Sequence, residues 1–368
     1  MTNRVRNGKL EIYRFLFAMY VLLFHYEKYF MGEPSLKNGI FVALCPHGSI
    51  GVEFFFLLSG FFMAKSIYNL REKQSPAMRN TVNPLDGLTF MWKKYIAIFP
   101  QHVVAFILCF IAYVWYNGFA FPTMLLKLVD SIPNFFLIQM SGMNFTNPNH
   151  VEWYLSCMLL AMFILYPFCK KYYHMLYKYI TPILTIMVVG YCVQTTGALT
   201  GVATWVGVTY KSMIRAVIEL LLGGTAYELS KWIKERAEDH PNHMKICCTV
   251  IEIASLLCVS VFVFITAPKK YEAYALFLLF VLIAVAGSGV SFSPKVFHTK
   301  ICLFLGQISL PIYLSQVAAI WIGMKLGWEG IAPLPIFLAM QIILTVLVYF
   351  GGKLLSKAKI FHLYWTGV

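Results

Sequence analysis

The apolar and polar positions of the chain alternate in long blocks. Polar stretches separate ten apolar segments of about 18 to 25 residues, a length that lets a helix cross a hydrocarbon core of about 30 Å. The segments cover 9–30, 49–68, 95–116, 151–169, 176–194, 210–230, 245–266, 271–288, 301–325 and 333–355. The pattern predicts an all-α, polytopic membrane protein with about ten transmembrane helices, and an even number puts both termini on the same side.

Two polar stretches are longer than a simple connection requires. Residues 69–94 form a basic loop that leads into the third segment through FMWKKYIAIFP. Residues 117–150 contain LLKLVDSIPNFFLIQM, which Asp130 and Pro133 interrupt, so we expect a re-entrant or interfacial piece there. We expect a single integral membrane domain over residues 1–368, and the lack of a visible internal repeat disfavours a transporter without excluding one.

The distribution of positive charge orients the chain. Of 30 Lys and Arg residues, 21 fall in stretches on the side of the N-terminus, seven fall on the opposite side, and Arg14 and Arg215 lie within segments. Because Lys and Arg accumulate in cytoplasmic stretches, both termini and the loop 69–94 are predicted to be cytoplasmic. Residues 117–150 are then an outer loop.

Composition narrows the class of protein. With 59% apolar residues and a mean hydropathy of +0.69, the chain is not an ordinary soluble protein. Its net charge of +14 follows mainly from the topology, so membrane lipids suffice as partners and we expect no nucleic-acid binding. Most of the nine cysteines lie in apolar segments, without a Cys-x-x-Cys pair, so we expect neither a disulfide framework nor a metal site.

Arg14 and His25 are the most informative ionisable pair. Eleven residues apart in the first segment, they share one face of a helix and stand about 16 Å apart along its axis. An ionisable side chain inside a membrane costs about 2.5–3.5 kcal/mol on insertion scales, which favours a functional role. Two alternatives stay open, since Arg14 can reach the cytoplasmic surface as an anchor and His25 can be a neutral packing residue.

The second segment carries a carboxylate, Glu53, on the predicted outer half of its helix, as His25 is. We therefore expect a buried contact between Glu53 and His25 that would orient the imidazole as a general base. In the same segment, Gly60 is expected to permit close approach of another helix. Arg215 and Glu219, four residues apart in the sixth segment, are interpreted as a structural ion pair.

Several parts of the chain together resemble one family. They are the Arg-x10-His spacing, VEFFFLLSGFFM, WKKYIAIFP, WYLS in the fourth segment and LGQISLPIYLSQ in the ninth. In this order they resemble the integral membrane acyltransferase family 3, whose bacterial members O-acylate carbohydrates. The chain departs from the family in having Lys93, Lys94 and Ala97 where paired arginines are common, and Gln316 where a histidine is common.

The resemblance implies an acyl-CoA donor, most simply acetyl-CoA, and a glycan or lipid-linked saccharide acceptor. The expected catalytic residues are His25 and Glu53. The residues expected to hold the donor are Arg14, Lys93, Lys94, Arg71 and Arg79, and those expected near the acceptor are Glu152, Trp153, Tyr154, Ser156 and Gln316. For Trp153 and Tyr154, anchoring at the membrane interface is the alternative.

The resemblance also implies that donor binding and catalysis lie at different positions along the first helix. Arg14 would hold the phosphates of coenzyme A at the cytoplasmic face, and His25 would act on the thioester about 16 Å away. His25 would remove a proton from a sugar hydroxyl or form a transient acyl-histidine. The expected location is the bacterial cytoplasmic membrane. The rival functions are a flippase or transporter for lipid-linked sugars, and a receptor or structural membrane protein.

Overall fold

The computed structural model describes residues 7–32, 35–37, 40–75, 78–83, 85–143 and 145–357. The predicted cytoplasmic termini, 1–6 and 358–368, lie outside these ranges, as do residues 76, 77 and 84 of the loop 69–94 and residue 144 of the outer loop. The helices are α1 Gly8–Tyr26, α2 Gly51–Lys73, α3 Asp86–Asn117, α4 Phe121–Asp130, α5 Ile132–Phe135, α6 Trp153–Lys171, α7 Thr181–Thr196, α8 Lys211–Asp239, α9 Pro241–Phe264, α10 Glu272–Ser288, α11 Lys300–Lys325 and α12 Leu334–Ser356. The prediction of an all-α polytopic membrane protein is confirmed.

Eight helices in the described part of the chain are long and apolar enough to cross a membrane, namely α2, α3, α6, α7 and α9–α12. The other two predicted spans also form continuous helices, α1 with 19 residues and α8 with 29. α1 carries three charged residues, Lys9, Glu11 and Arg14, in its first seven positions, and α8 carries Arg215 and Glu219 within its apolar part. Charge inside the apolar segments is not confined to these two helices, because α2 carries Glu53.

The contact between α2 and α8 depends on two glycines that face each other. A Cβ atom at Gly60 would lie 2.0 Å from the Leu220 carbonyl oxygen, and one at Gly223 would lie 2.0 Å from the Leu57 carbonyl oxygen. Any side chain at either position would collide with backbone that cannot move aside. Gly60 thus permits close helix approach, as its place in the sequence predicted.

The remaining helices pack around this pair. α11 contacts α1, α3 and α12, while α6 lies against α3 and α8, and α10 lies against α8 and α9. Two short antiparallel hairpins complete the described fold, β1 Ser35–Lys37 with β2 Ile40–Val42, and β3 Trp205–Val206 with β4 Thr209–Tyr210. α8 begins directly after β4, and residues 200–203, which precede β3, lie beside the site described below.

The two long polar stretches contain more helix than the sequence pattern predicts. α2 continues to Lys73 and α3 begins at Asp86, so Lys93 and Lys94 lie within α3 and not in a loop before it. In the outer stretch, α4 has no buried residue, and Ser131 separates it from the four-residue helix α5. That break falls between Asp130 and Pro133, and the interfacial or re-entrant placement of this piece stays a prediction.

Candidate functional site

His25 faces a cavity of about 460 Å³ near the predicted outer ends of the helices. The cavity lies among the end of α1, the start of α6, α8, α10 and the segment before β3. Its lining includes Phe24, His25, Lys28, Ser49, Val52, Asn147, His150, Val151, Trp153, Thr200, Gly201, Arg215, Lys269 and Glu272. We call it the outer cavity.

The backbone of α1 fixes the tautomer of His25. The ring nitrogen Nδ1 lies 2.9 Å from the carbonyl oxygen of Val21, one turn earlier. A carbonyl oxygen only accepts hydrogen bonds, so Nδ1 carries the hydrogen and donates it. In the neutral ring, Nε2 then holds the lone pair, which is the group that a general base uses.

The Gln316 side chain of α11 lies close to the His25 ring, although it does not line the outer cavity. Its Nε2 donates to the Tyr313 carbonyl oxygen at 2.9 Å, and its buried Oε1 has no close hydrogen-bond partner among the described residues. This oxygen is suited to accept a hydrogen bond from His25 Nε2 once that atom is protonated. Although glutamine cannot exchange a proton, it can stabilise the protonated form of a neighbour.

A second histidine, His150, lines the same cavity. Its ring centroid lies 6.2 Å from that of His25, and its Nε2 is hydrogen bonded to the Tyr29 hydroxyl at 3.0 Å. His150 was not among the site residues expected from the sequence. Its position directly before the fourth apolar segment, at the same predicted depth as His25, is the signal that would have identified it.

Glu53 does not contact His25, and the expectation of a Glu53–His25 pair is wrong. The Glu53 carboxylate pairs with the guanidinium of Arg215, which also lies 3.4 Å from Glu219. All three side chains are nearly inaccessible to solvent. Because arginine is always charged and imidazole is largely neutral, a buried carboxylate gains more from the arginine. The Arg215–Glu219 pair itself forms as predicted.

Arg14 faces a different cavity, of about 270 Å³, between α1, α2, α3, α6 and α11. Lys94 also lines this cavity, and its positive charge and that of Arg14 repel each other. One guanidinium nitrogen of Arg14 donates to Glu11 at 2.9 Å, which leaves its other donors available. We call this space the inner cavity, and no described residue lines both cavities.

Three aromatic residues of the inner-cavity lining connect it to the outer cavity. Phe55, Tyr154 and Tyr313 contact one another with ring centroids 5.9–6.4 Å apart. The Tyr154 hydroxyl donates to the Phe55 carbonyl oxygen at 3.2 Å, and the Tyr313 hydroxyl donates to the carbonyl oxygen of Val151, which lines the outer cavity. The Tyr313 hydroxyl thus joins the linings of the two cavities, and we call these three rings the aromatic partition.

A separate groove lies toward the predicted cytoplasmic ends of α2, α3 and α6 and shares no lining residue with the inner cavity. This cytoplasmic groove has a volume of about 360 Å³ and is lined by Lys73, Lys93 and the stacked rings of Phe90 and Tyr166, whose centroids lie 4.4 Å apart. Lys93 and Lys94 are neighbours on a helix, so they point about 100° apart. One therefore serves the groove and the other the inner cavity.

Arg71 and Arg79 line neither of these spaces. Arg71 is 8% exposed and donates to the carbonyl oxygens of Lys170 at 2.7 Å and Arg79 at 3.1 Å, as well as to the Asn80 side chain. It therefore connects the ends of α2 and α6 with the turn after α2. These contacts favour a structural role for Arg71 over donor binding, and the expectation that Arg79 binds a donor stays a prediction.

The residues at the start of α6 divide into two groups. Trp153 lines the outer cavity and Tyr154 the inner one. Glu152 is fully buried and accepts hydrogen bonds from His102 at 2.7 Å and from Asn134 and Asn149, while Ser156 is fully buried and accepts from the Met140 amide at 3.1 Å. Glu152 and Ser156 therefore attach the outer loop to α3 and α6, and neither lines either cavity.

Comparison with protein families places this arrangement in context. A family model described as an acyltransferase domain matches residues 7–353 of the 368. The chain belongs to acyltransferase family 3. No curated protein and no solved structure gives a match. Membership in acyltransferase family 3 supports acyl transfer in general, within a multi-pass membrane protein.

Proposed function

We propose that the protein transfers an acyl group, most simply acetyl, from cytoplasmic acyl-CoA to a hydroxyl group of an exported or lipid-linked glycan. His25 acts as the general base. The single observation that carries the proposal is the tautomer of His25, because its Nδ1 donates to Val21 and its Nε2 is left as a base facing the outer cavity. The proposed location is the bacterial cytoplasmic membrane.

The donor approaches from the cytoplasmic side. Phosphate groups of coenzyme A bind lysine and arginine through charge-assisted hydrogen bonds. Lys93 in the cytoplasmic groove, and Lys94 with Arg14 in the inner cavity, form a line of such groups along α3 and α1. The pantetheine arm then extends through the inner cavity toward the aromatic partition.

The reaction requires one proton transfer and one bond exchange. His25 Nε2 takes the proton from the acceptor hydroxyl, whose oxygen attacks the thioester carbonyl carbon. The carbon–sulfur bond breaks, and the leaving thiolate of coenzyme A takes up the proton from the imidazolium. In the alternative route, Nε2 itself attacks the thioester, and the acceptor then attacks the acyl-histidine.

Gln316 stabilises the state between these two proton transfers. When Nε2 is protonated, it gains a hydrogen atom that needs an acceptor, and Gln316 Oε1 is the buried oxygen beside it. The aromatic partition must open for the acyl group to reach His25. Rotation of the Tyr154 or Tyr313 side chain is the smallest movement that joins the two cavities.

The test is an acyl-transfer assay with purified protein. Radiolabelled acetyl-CoA is incubated with a lipid-glycan extract, and the label in the glycan fraction is measured. We expect His25→Ala to lower transfer by at least about 10²-fold, while His243→Ala, a histidine in an exposed position, leaves it unchanged. Full activity of a correctly inserted His25→Ala variant would exclude His25 as the base.

A second candidate function rests on the two separate cavities. Spaces divided by a movable partition are also what an alternating-access flippase for lipid-linked sugars requires. Such a protein would move a fluorescent lipid-linked sugar across a vesicle membrane without consuming acetyl-CoA. Transport in the absence of a donor, with no labelled glycan, would favour this function over acyl transfer.

A further inference from the structure

Two lysines line the outer cavity beside His25. Lys28 follows His25 by three residues, one turn further along the first helix, and Lys269 precedes α10 on the opposite wall. Only seven of the 30 basic residues fall on the predicted outer side of the chain, and two of those seven line this one space. Positive charge is therefore concentrated where the outer side otherwise has little of it.

Neither lysine forms an ion pair with a carboxylate among the described residues. The nearby carboxylates are engaged elsewhere. Glu27 accepts hydrogen bonds from the amides of Leu44 and Cys45, and Glu272 accepts from the Thr200 hydroxyl at 2.7 Å. The Arg215 guanidinium, the third cation at this cavity, is already paired with two glutamates.

The charges of the two lysines act on the same small volume. Lys269 is close enough to repel Lys28, and the charge of Lys28 reaches both His25 and His150. Like charges that face one space are unfavourable until an anion enters between them. Each ammonium group can donate three hydrogen bonds, so the two lysine side chains together can hold a phosphate or carboxylate group.

A hydroxyl-binding group lies in the same cavity. The Oδ1 atom of Asn147 is buried and has no hydrogen-bond partner among the described residues. An amide oxygen of this kind suits a sugar hydroxyl, which can donate to it. The lining thus offers cationic donors and a neutral acceptor. It also contains the proposed base, His25, one turn of helix before Lys28.

We propose that the outer cavity selects an anionic acceptor, whose phosphate or carboxylate group binds Lys28 and Lys269 while a nearby hydroxyl reaches His25. This inference rests on the proposed acyl transfer for the role of the hydroxyl, but the anion site itself does not. A phosphate would come from a lipid-linked saccharide, and a carboxylate from an acidic sugar. Both sources present the same chemistry to the lysines.

The experiment measures binding without any acyl donor. The full-length protein in a polyoxyethylene detergent, which offers no competing sugar, is titrated calorimetrically with dodecyl glucuronide, dodecyl phosphate and the neutral dodecyl glucoside. We expect the Lys28→Gln, Lys269→Gln double variant to bind at least one anionic probe about tenfold more weakly, which is about 1.4 kcal/mol at 25 °C. Lys270→Gln, which alters a neighbour that does not line the cavity, is the matched control.

The outcomes identify the source of the anion and test whether the two lysines bind it. Preference for the phosphate probe assigns a lipid-linked saccharide, and preference for the glucuronide assigns an acidic sugar. Equal binding of the anionic probes by the wild type and the double variant would overturn the inference. If the double variant also loses the neutral glucoside, Lys28→Arg with Lys269→Arg decides, since restored anion binding supports the site and continued loss rejects it. Because no acyl-CoA is present, failure here is independent of the His25→Ala assay.

Discussion

Replacement of Gln316 by leucine tests how the proposed base is stabilised. The substitution keeps the volume of the side chain close to that of glutamine but removes Oε1, the buried oxygen beside the His25 ring. In the neutral state little is lost, because the amide nitrogen of Gln316 donates only to the Tyr313 carbonyl oxygen in its own helix. In the protonated state, the imidazolium loses its hydrogen-bond acceptor.

The magnitude follows from the charge of that state. A hydrogen bond to a charged group contributes about 1.5–3 kcal/mol, and about 1.36 kcal/mol corresponds to a factor of ten in rate. We therefore expect Gln316→Leu to lower kcat by about 10- to 100-fold, with little change in the KM for acetyl-CoA. Gln316→Glu, which retains an oxygen acceptor, should keep most of the activity.

The assay compares steady-state acetyl transfer and thermal unfolding for each variant. Gln341→Leu is the matched control, because Gln341, like Gln316, is buried and lines neither cavity, but its side chain donates to the Ile312 carbonyl oxygen and the Ser315 hydroxyl and does not interact with the His25 ring. It should lower the unfolding temperature without a specific loss of kcat. A wild-type kcat in Gln316→Leu would refute the reasoning.

Three further predictions concern packing, charge and donor binding. Gly60→Val should destabilise the protein by about 1–3 kcal/mol in thermal unfolding, whereas Gly190→Val, where a Cβ meets nothing within 4 Å, should have little effect; equal effects would contradict the close helix contact. Glu53→Gln should cost about 3–5 kcal/mol because it leaves a buried arginine partly uncompensated, and an unchanged unfolding temperature would show that this ion pair does not stabilise the fold. Lys93→Ala should raise the KM for acetyl-CoA severalfold, whereas Arg71→Ala should lower the unfolding temperature and leave this KM unchanged. A raised KM in Arg71→Ala with an unchanged KM in Lys93→Ala would instead place Arg71 in the donor site.

The positions of the helices could be predicted from the sequence because a membrane helix needs a continuous apolar length. The small size of Gly60 in an aromatic, apolar segment also predicted that it would meet another helix. The apolar length does not show where a helix ends when the helix continues beyond the membrane into polar residues. For this reason Lys93 and Lys94 were expected before α3, although the helix begins at Asp86.

Contacts between distant parts of the chain could not be predicted in the same way. Glu53 and Arg215 are 162 residues apart, and only the packing of α2 against α8 brings them together. Arg71 has the chemistry of a phosphate-binding residue, but one of its guanidinium nitrogens donates to the carbonyl oxygen of Lys170 at the end of α6 and to that of Arg79. Local sequence reports which groups need partners, whereas the tertiary fold decides which partners they obtain.

The aromatic partition has a consequence for the membrane as a whole. Under the predicted topology, the inner cavity faces the cytoplasm and the outer cavity faces the opposite side, so a continuous water column between them would leak protons and dissipate the membrane potential. The hydroxyls of Tyr154 and Tyr313 are held by the carbonyl oxygens of Phe55 and Val151, which leaves them poorly placed to support a chain of water molecules. Under the proposed acyl transfer, the three rings that an acyl group must pass would also limit the leakage of ions across the membrane.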